Sequence, residues 1–501
     1  MGDKLNAFKA RAEELTTLGQ VIAVLDWDMQ TQMPEGSANA RARHMTVMSK
    51  LVHELGTSDE TLRLLQTATA ELGTADYDSD DASLLRVSAR DIEKARKLPA
   101  DLVAELTRET TLAHSVWAEA RKNNDFKAFA PALKRIIALK QQQAECMGYK
   151  AHIYDALLDD YEAGMTTADV DKMFAGLRTE IVPLVAAIRA KLDTVSSDVL
   201  KQDYDEAKQK AFAEQVIRSF GFDFNRGRQD RAVHPFATSF SRDDVRITTR
   251  YDRHFLSGAM FGTFHEAGHG MYEQGIGESL EGTPLGNATS LGVHESQSRL
   301  WENLVGRSKG FWTHFYPILQ SYFPEALGGV GLDSFYKSIN QVDPTQVRVE
   351  ADEATYNLHI MLRFELEKEL LAGTLKVDDL PEAWNAKSQE YLGVTPPNDR
   401  LGVLQDVHWS AGLLGYFPTY SVGNLLSVQL MDKAVETHPT LPAEIARGEF
   451  GTLLNWLHEN VHKPGRKYQP QELIQRATGK PLSADSYVRY LKTKFTEIYS
   501  L

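Results

Sequence analysis

Residues 265–269 read His265-Glu266-Ala267-Gly268-His269, and this pentad constrains the fold more than any other feature of the 501-residue chain. On a helix the two histidines share one face, about 6 Å apart along the axis at a rise of ~1.5 Å per residue. Two imidazoles so placed can share one zinc ion, with Glu266 beside it as general base toward an attacking water. The flanking residues favour a helix. Ser257 stands where a cap is wanted, Met260, Phe261, Phe264, Met271 and Tyr272 are apolar, and Gly275 can end it. With 15 histidines in the chain, such a pentad arises by accident in roughly 3% of comparable sequences, so chance is the weaker explanation.

A catalytic zinc needs a third protein ligand and one open position. A third histidine in the pattern His-Glu-x-x-His-x-x-Gly-x-x-His is excluded, because Tyr272 and Gly275 occupy the required Gly and His positions. A downstream carboxylate is the other common solution. Glu273 lies about 12 Å along the same helix from His265, too far to close a tetrahedron. Glu278 and Glu281 sit in a glycine-rich stretch, whereas Glu295 opens a second apolar-periodic helix with Leu300, Trp301 and Leu304. A rigid helix holds a ligand better than a loop, so Glu295 is the favoured third ligand.

The rest of the chain fits a helical enzyme. Leu51, Leu55, Leu62, Leu64 and Leu65 recur among charges, and Leu358, Met361, Leu362, Phe364, Leu366 and Leu370 fall at spacings of three and four. Segments near Pro99, Pro131 and Pro183 are expected to restart helices. The clearest strand is Asp244–Tyr251, preceded by an irregular stretch from His234 to Arg242. No repeat, low-complexity tract or long linker divides the sequence. The expectation is one mainly α domain over 1–501 with a small β-sheet.

Charge and cysteine content exclude other classes. The 55 Lys and Arg against 69 Asp and Glu leave a net charge of −14, the wrong sign for a general nucleic-acid binder. A single cysteine, Cys146, allows neither an intrachain disulfide nor a cysteine-rich zinc site, and suits a reducing compartment. The first twenty residues lack the apolar core of a signal peptide, and no uncharged apolar run approaches the ~18 residues of a membrane span. A cytoplasmic protein is expected.

Further residues gain meaning once zinc is granted. His408 follows Gln405-Asp406, and Tyr416 and Tyr420 flank the next turn; His or Tyr can donate to the oxyanion of a tetrahedral intermediate. Read alone, each is an ordinary structural residue. Arg348 could grip a substrate carboxylate in two places, although alone it reads as half of an ion pair.

Taken in order, these segments resemble the carboxypeptidase Taq family of metallopeptidases over nearly the whole chain. The resemblance is carried by Trp27-Asp28-Met29-Gln30-Thr31-Gln32-Met33-Pro34, His234-Pro235-Phe236, Asp244-Val245-Arg246-Ile247-Thr248, the pentad, and His294-Glu295-Ser296-Gln297. Val347-Arg348-Val349-Glu350-Ala351-Asp352 and Gly402-Val403-Leu404-Gln405-Asp406-Val407-His408-Trp409 complete it. Tyr161-Glu162-Ala163-Gly164 carries Ala where the family pattern has Pro. The resemblance implies a fold similar to angiotensin-converting enzyme and neurolysin, two helical halves flanking a deep central groove. It implies a homodimer that removes single residues from peptides with a free C-terminus, with broad specificity. It implies one zinc per chain, replaceable by cobalt, held by His265, His269 and Glu295, with Glu266 as base. By the same resemblance His408 and Tyr420 are the oxyanion donors, Tyr416 competes for that role, and Arg348 binds the α-carboxylate with Arg246 as rival. The alternative on the same site is a dipeptidyl carboxypeptidase or oligoendopeptidase. A non-catalytic zinc or peptide binder has no use for Glu266.

Overall fold

Short polar residues placed just ahead of apolar-periodic segments start many of the helices. Ser58 accepts the Thr61 amide ahead of the Asp59–Leu72 helix, and Asp125 accepts that of Ala128 ahead of Phe126–Met147. Thr166 and Asp169 form a reciprocal capping box at the start of Thr167–Arg189. The computed structural model describes residues 2–232 and 235–501, and these are mostly helical with one small sheet. No helix among the described residues is long and apolar enough to cross a membrane.

The chain forms two compact units, each woven from three segments. The first takes residues up to Arg96, Ser197–Ile339 and Leu430–Pro481; the second takes Lys97–Ser196, Asn340–Gln429 and Leu482–Leu501. In the first, Phe220 sits at the centre of an aromatic core, its ring 4.7 Å from Trp301, 4.9 Å from Phe450 and 5.4 Å from Phe264. That core lies directly behind the pentad helix, since Phe264 precedes His265. In the second unit Phe364 plays a similar part between Tyr154 and Phe174.

The sheet belongs to the first unit. Its strands are β1 (Gly227–Arg231), β2 (Ala237–Ser241) and β3 (Asp244–Thr249), in the order β1-β3-β2, with β1 parallel and β2 antiparallel to β3. Val245 and Ile247 on β3 are fully buried. The helix Leu256–Gly275 lies against the Ile247 side chain at Gly270, where an added Cβ would stand 2.6 Å from Phe222 and 3.3 Å from Ile247.

Several local expectations are corrected. The stretch before β3 is not irregular throughout, because Ala237–Ser241 forms the antiparallel partner strand; His234 lies outside the described residues. The strand expected to reach Tyr251 ends at Thr249. Pro99 precedes a helix as expected, but Pro131 and Pro183 lie inside Phe126–Met147 and Thr167–Arg189. Burial of Leu133, Ile136 and Ile137 around one and of Ile181, Leu184 and Val185 around the other outweighs the missing backbone bond. Leu358 to Leu370 are indeed helical, within Tyr356–Ala372, but that helix is buried nearly all round rather than along one face.

Candidate active site

The pentad falls on the Leu256–Gly275 helix, which ends at Gly275 as expected. Ser257 does not cap it: Phe255 occupies that position in extended conformation, and the Ser257 hydroxyl is buried without a hydrogen-bond partner. The second element is the Leu291–Arg299 helix, started by Ser290, whose hydroxyl accepts the Val293 amide at 3.1 Å. Glu295 therefore sits one turn inside this helix rather than at its opening. A π-helical segment, Leu300–Val305, continues it, a distortion frequent at functional sites. Gly268 lets the two helices approach closely. A Cβ there would stand 2.6 Å from the Gln297 carbonyl oxygen and 2.7 Å from Ser298 Cα.

This crossing brings His265, His269 and Glu295 to one point. Glu295 Oε2 lies 3.7 Å from His265 Nε2 and 3.4 Å from His269 Nε2. A tetrahedral ion with bonds of ~2.1 Å has ligand-to-ligand edges of about 3.4 Å, so this donor set fits one divalent metal. Two imidazoles and one carboxylate match a catalytic zinc better than a hard, all-oxygen cation.

Each of the three donors is met by a half-buried partner. His265 Nδ1 is 2.9 Å from Glu302 Oε2, and Glu302 is paired with Arg299 at 3.3 Å and Arg307 at 3.4 Å. Arg299 also donates to Glu295 Oε1 at 2.7 Å, leaving Oε2 for the histidines. His269 Nδ1 faces His294 Nδ1 at 2.5 Å, and His294 Nε2 meets Glu273 Oε1 at 2.7 Å. The Ser239 hydroxyl on β2 donates to the other oxygen of Glu273 at 2.9 Å. Such outer contacts fix ring orientation and ligand basicity. Glu273, excluded above as a ligand, thus acts one step behind one. Arg299, Glu302 and Arg307 were not singled out from sequence, yet Glu295, Arg299 and Glu302 stand at i, i+4 and i+7, a spacing that shares one helix face. Glu278 and Glu281 turn elsewhere, toward Arg242.

The electrostatics follow from burial. Burial pushes the Glu266 carboxyl up to about 7, against the lowering pull of His265. It pulls His269 down to about 3, helped by His294, which keeps that imidazole neutral and able to ligate. Burial also pulls on His265, but Glu295 and Glu302 outweigh it and raise its pKa. Burial works against ionised Glu295, yet Arg299 and His265 hold it well below the usual carboxylate range. The same unit holds a cavity of about 670 Å³, whose wall includes Ser239, Phe240, Arg242 and Glu273.

The remaining predicted residues fall in two places. Arg246, in the first unit, pairs with Asp244 at 2.9 Å and lies over the Trp27 ring at 4.3 Å and the Phe240 ring at 4.7 Å. The N-terminal tryptophan signature and the strand motif are therefore one packed cluster. In the second unit Arg348 is buried and pairs with Asp406 at 2.9 Å, as its reading in isolation anticipated. It also donates to the Tyr356 hydroxyl at 2.9 Å and lies 5.0 Å over the Tyr420 ring. Arg363, unforeseen, binds the other oxygen of Asp406 at 2.5 Å. His408 Nε2 is 3.3 Å from the Tyr420 hydroxyl, and the Tyr416 ring is 5.4 Å from the imidazole. Burial holds the His408 pKa down to about 3 and the ring neutral.

Comparison with known proteins finds relatives over nearly the whole chain. Residues 7–495 match the family described as carboxypeptidase Taq (M32) metallopeptidase. The chain is 40% identical to thermostable carboxypeptidase 1 of Thermus thermophilus, the match covering 98% of each. It is 38% identical to carboxypeptidase 1 of Bacillus subtilis, over 98% of this chain and 97% of that one. Among solved structures, the M32 carboxypeptidase of Deinococcus radiodurans superposes with a TM-score of 0.97 at 41% identity, covering 100% of both chains. A carboxypeptidase of Pyrococcus furiosus gives a TM-score of 0.95 at 37% identity, covering 99% of both.

Proposed function

The chain belongs to the carboxypeptidase Taq family of metallopeptidases and is a peptide hydrolase, and from that premise we propose that it removes single residues from the C-terminus of peptides with broad specificity. The observation that carries this reading is the convergence of His265, His269 and Glu295 beside a buried Glu266. The proposal takes zinc as the metal, one ion per chain with cobalt able to replace it. It takes a homodimer as the working form and, with Cys146 as the single cysteine, a reducing cytoplasmic setting.

His265, His269 and Glu295 would hold the metal, which would supply Lewis-acid polarisation there. Glu266 takes the proton of that water on its carboxylate and passes it to the nitrogen of the leaving amine. A base whose pKa lies near 7 can do both at neutral pH. In this reading His408 Nε2 and the Tyr420 hydroxyl, with Tyr416 as the competing tyrosine, donate to the developing oxyanion, each donor contributing about 3 kcal/mol. His408 Nε2 and the Tyr420 hydroxyl stand 3.3 Å apart. Arg348 anchors the substrate α-carboxylate: it and Arg363 converge on Asp406, which sets the Arg348 guanidinium in a fixed orientation. Arg246, stacked on two rings and paired with Asp244, is the lesser candidate.

The test is digestion of one ten-residue peptide, as free acid and as amide, by the zinc-loaded protein, read by mass spectrometry. A ladder losing one residue at a time from the free acid alone is the expected result. Loss of pairs would identify a dipeptidyl carboxypeptidase, and internal cuts in both peptides an oligoendopeptidase.

A further inference from the structure

One buried acid takes no part in the chemistry above. Glu367, on the Tyr356–Ala372 helix, is fully buried, and three donors from three places in the second unit converge on it. The Tyr154 hydroxyl reaches Oε2 at 2.8 Å, the Trp409 indole N–H reaches Oε1 at 2.8 Å, and the Gly415 amide reaches Oε2 at 3.1 Å. Trp409 directly follows His408, and Gly415 directly precedes Tyr416. We propose that Glu367 is a positioning residue that clamps both ends of the 409–415 turn and so sets His408 and Tyr416 for the hydrolytic step. The proposal rests on the reading of His408 and its neighbouring tyrosines as oxyanion donors.

The surroundings give the clamp little slack. Gly415 has φ +94°, and a Cβ there would stand 2.8 Å from the backbone carbon of Leu157, so the turn lies against the Ile153–Leu158 helix that also supplies Tyr154. The Trp409 ring meets Trp384 edge-on at 5.8 Å. On the other side of His408, two guanidiniums fix Asp406. His408 is therefore held between two carboxylate anchors, Asp406 two residues before it and Glu367 through the residue after it.

The two anchors respond oppositely to protons. Asp406, desolvated but gripped by Arg363 and Arg348, is held well below the usual carboxylate range. Burial pushes Glu367 up to about 7, against the lowering effect of its three donors and of Arg363 one turn back on the same helix. The other titratable groups facing Glu367 are Lys140, whose pKa burial lowers, and Tyr154 and Tyr161, whose pKa values burial raises. Asp160 acts on both Lys140 and Tyr161. All three bonding partners of Glu367 are donors, so each bond is stronger to the ionised carboxylate than to the protonated acid. The clamp is engaged above pH about 7 and loosens below it.

The experiment uses Glu367→Gln in the full-length, zinc-loaded enzyme. Metal content, kcat and KM on a free-acid peptide are measured, with the Trp409 indole ¹H–¹⁵N resonance followed across pH. A displacement on the order of 1 Å at a catalytic group costs up to about 100-fold, so kcat is expected to fall about 10- to 100-fold with metal content unchanged and KM within about threefold. The indole resonance of the parent titrates near pH 7 and that of the variant does not. Tyr154→Phe, which removes one donor and leaves the turn untouched, moves that midpoint upward, a change that mere space-filling would not produce. It also carries the test if Glu367→Gln does not fold. An indole insensitive to pH in the parent, or full kcat in Glu367→Gln while His408→Ala is inactive, overturns the clamp. Full activity in His408→Ala instead overturns the oxyanion reading, leaving the indole titration to report whether the clamp exists.

Discussion

In the proposed mechanism Glu266 is what turns a metal-holding triad into a hydrolytic site, because nothing in metal binding requires an acid at that position. Glu266→Gln keeps the shape and removes the base, so the variant is expected to retain its metal and lose about 10²–10⁴-fold in kcat. Metal analysis beside turnover on one peptide checks this, and a variant with most of its rate would reject the role. Glu302 makes a second, subtler case. It grips His265 Nδ1 at 2.9 Å while Arg299 and Arg307 hold it in place. Glu302→Gln weakens that grip, and a loss of about 10- to 100-fold in zinc affinity is expected from a competition titration. Unchanged affinity would mean that Glu302 only balances charge. The convergence of His265, His269 and Glu295 was legible in the sequence from spacing and from the choice of a helical carboxylate. Their supports were less so: His294 gives no sign in isolation that it stands behind His269 rather than beside the metal.

At the level of elements, the site depends on how closely two helices cross. Gly268 is the contact, and a Cβ there meets backbone atoms of Gln297 and Ser298 that cannot swing aside. Gly268→Ala therefore pushes the Glu295 helix away from the histidines, at a cost of about 1–3 kcal/mol. Zinc affinity should fall with stability. Gly262 on the same helix is the internal control, since its Cβ would find only Thr249 Oγ1 at 3.8 Å. Gly262→Ala is expected to be neutral or to stabilise by up to about 1 kcal/mol through helix propensity. Equal losses in the two variants, by calorimetry and zinc titration, would show that any alanine in this helix is harmful and remove the close approach as the cause. Elements were readable where local chemistry decides them, as at the Gly275 helix end or in the strand starting at Asp244. They were misread where packing decides. Pro131 and Pro183 stay helical because their neighbours are buried, β2 forms because β3 offers it an edge, and Phe255 takes the position that Ser257 was expected to fill.

At the scale of the molecule, the proposed metal ligands all belong to one of the two units. His265, His269 and Glu295 lie within Ser197–Ile339, whereas Arg348, His408, Tyr416 and Tyr420 lie within Asn340–Gln429. A ligand that binds only the folded state stabilises it by about 4 kcal/mol when present at a thousand times its dissociation constant. Chelation removes that contribution where the ion was held. The two helices keep other bonds without it: Arg299 still joins Glu295 to Glu302, and Ser290 still caps Leu291–Arg299. Metal removal is therefore expected to loosen the crossing rather than unfold the chain. Hydrogen exchange should rise over Leu256–Gly275 and Leu291–Arg299 on chelation and return with added zinc, while the buried helix Tyr356–Ala372 keeps its protection. A uniform rise across both units would mean that they open as one cooperative body, and the local account of the metal's effect would fail.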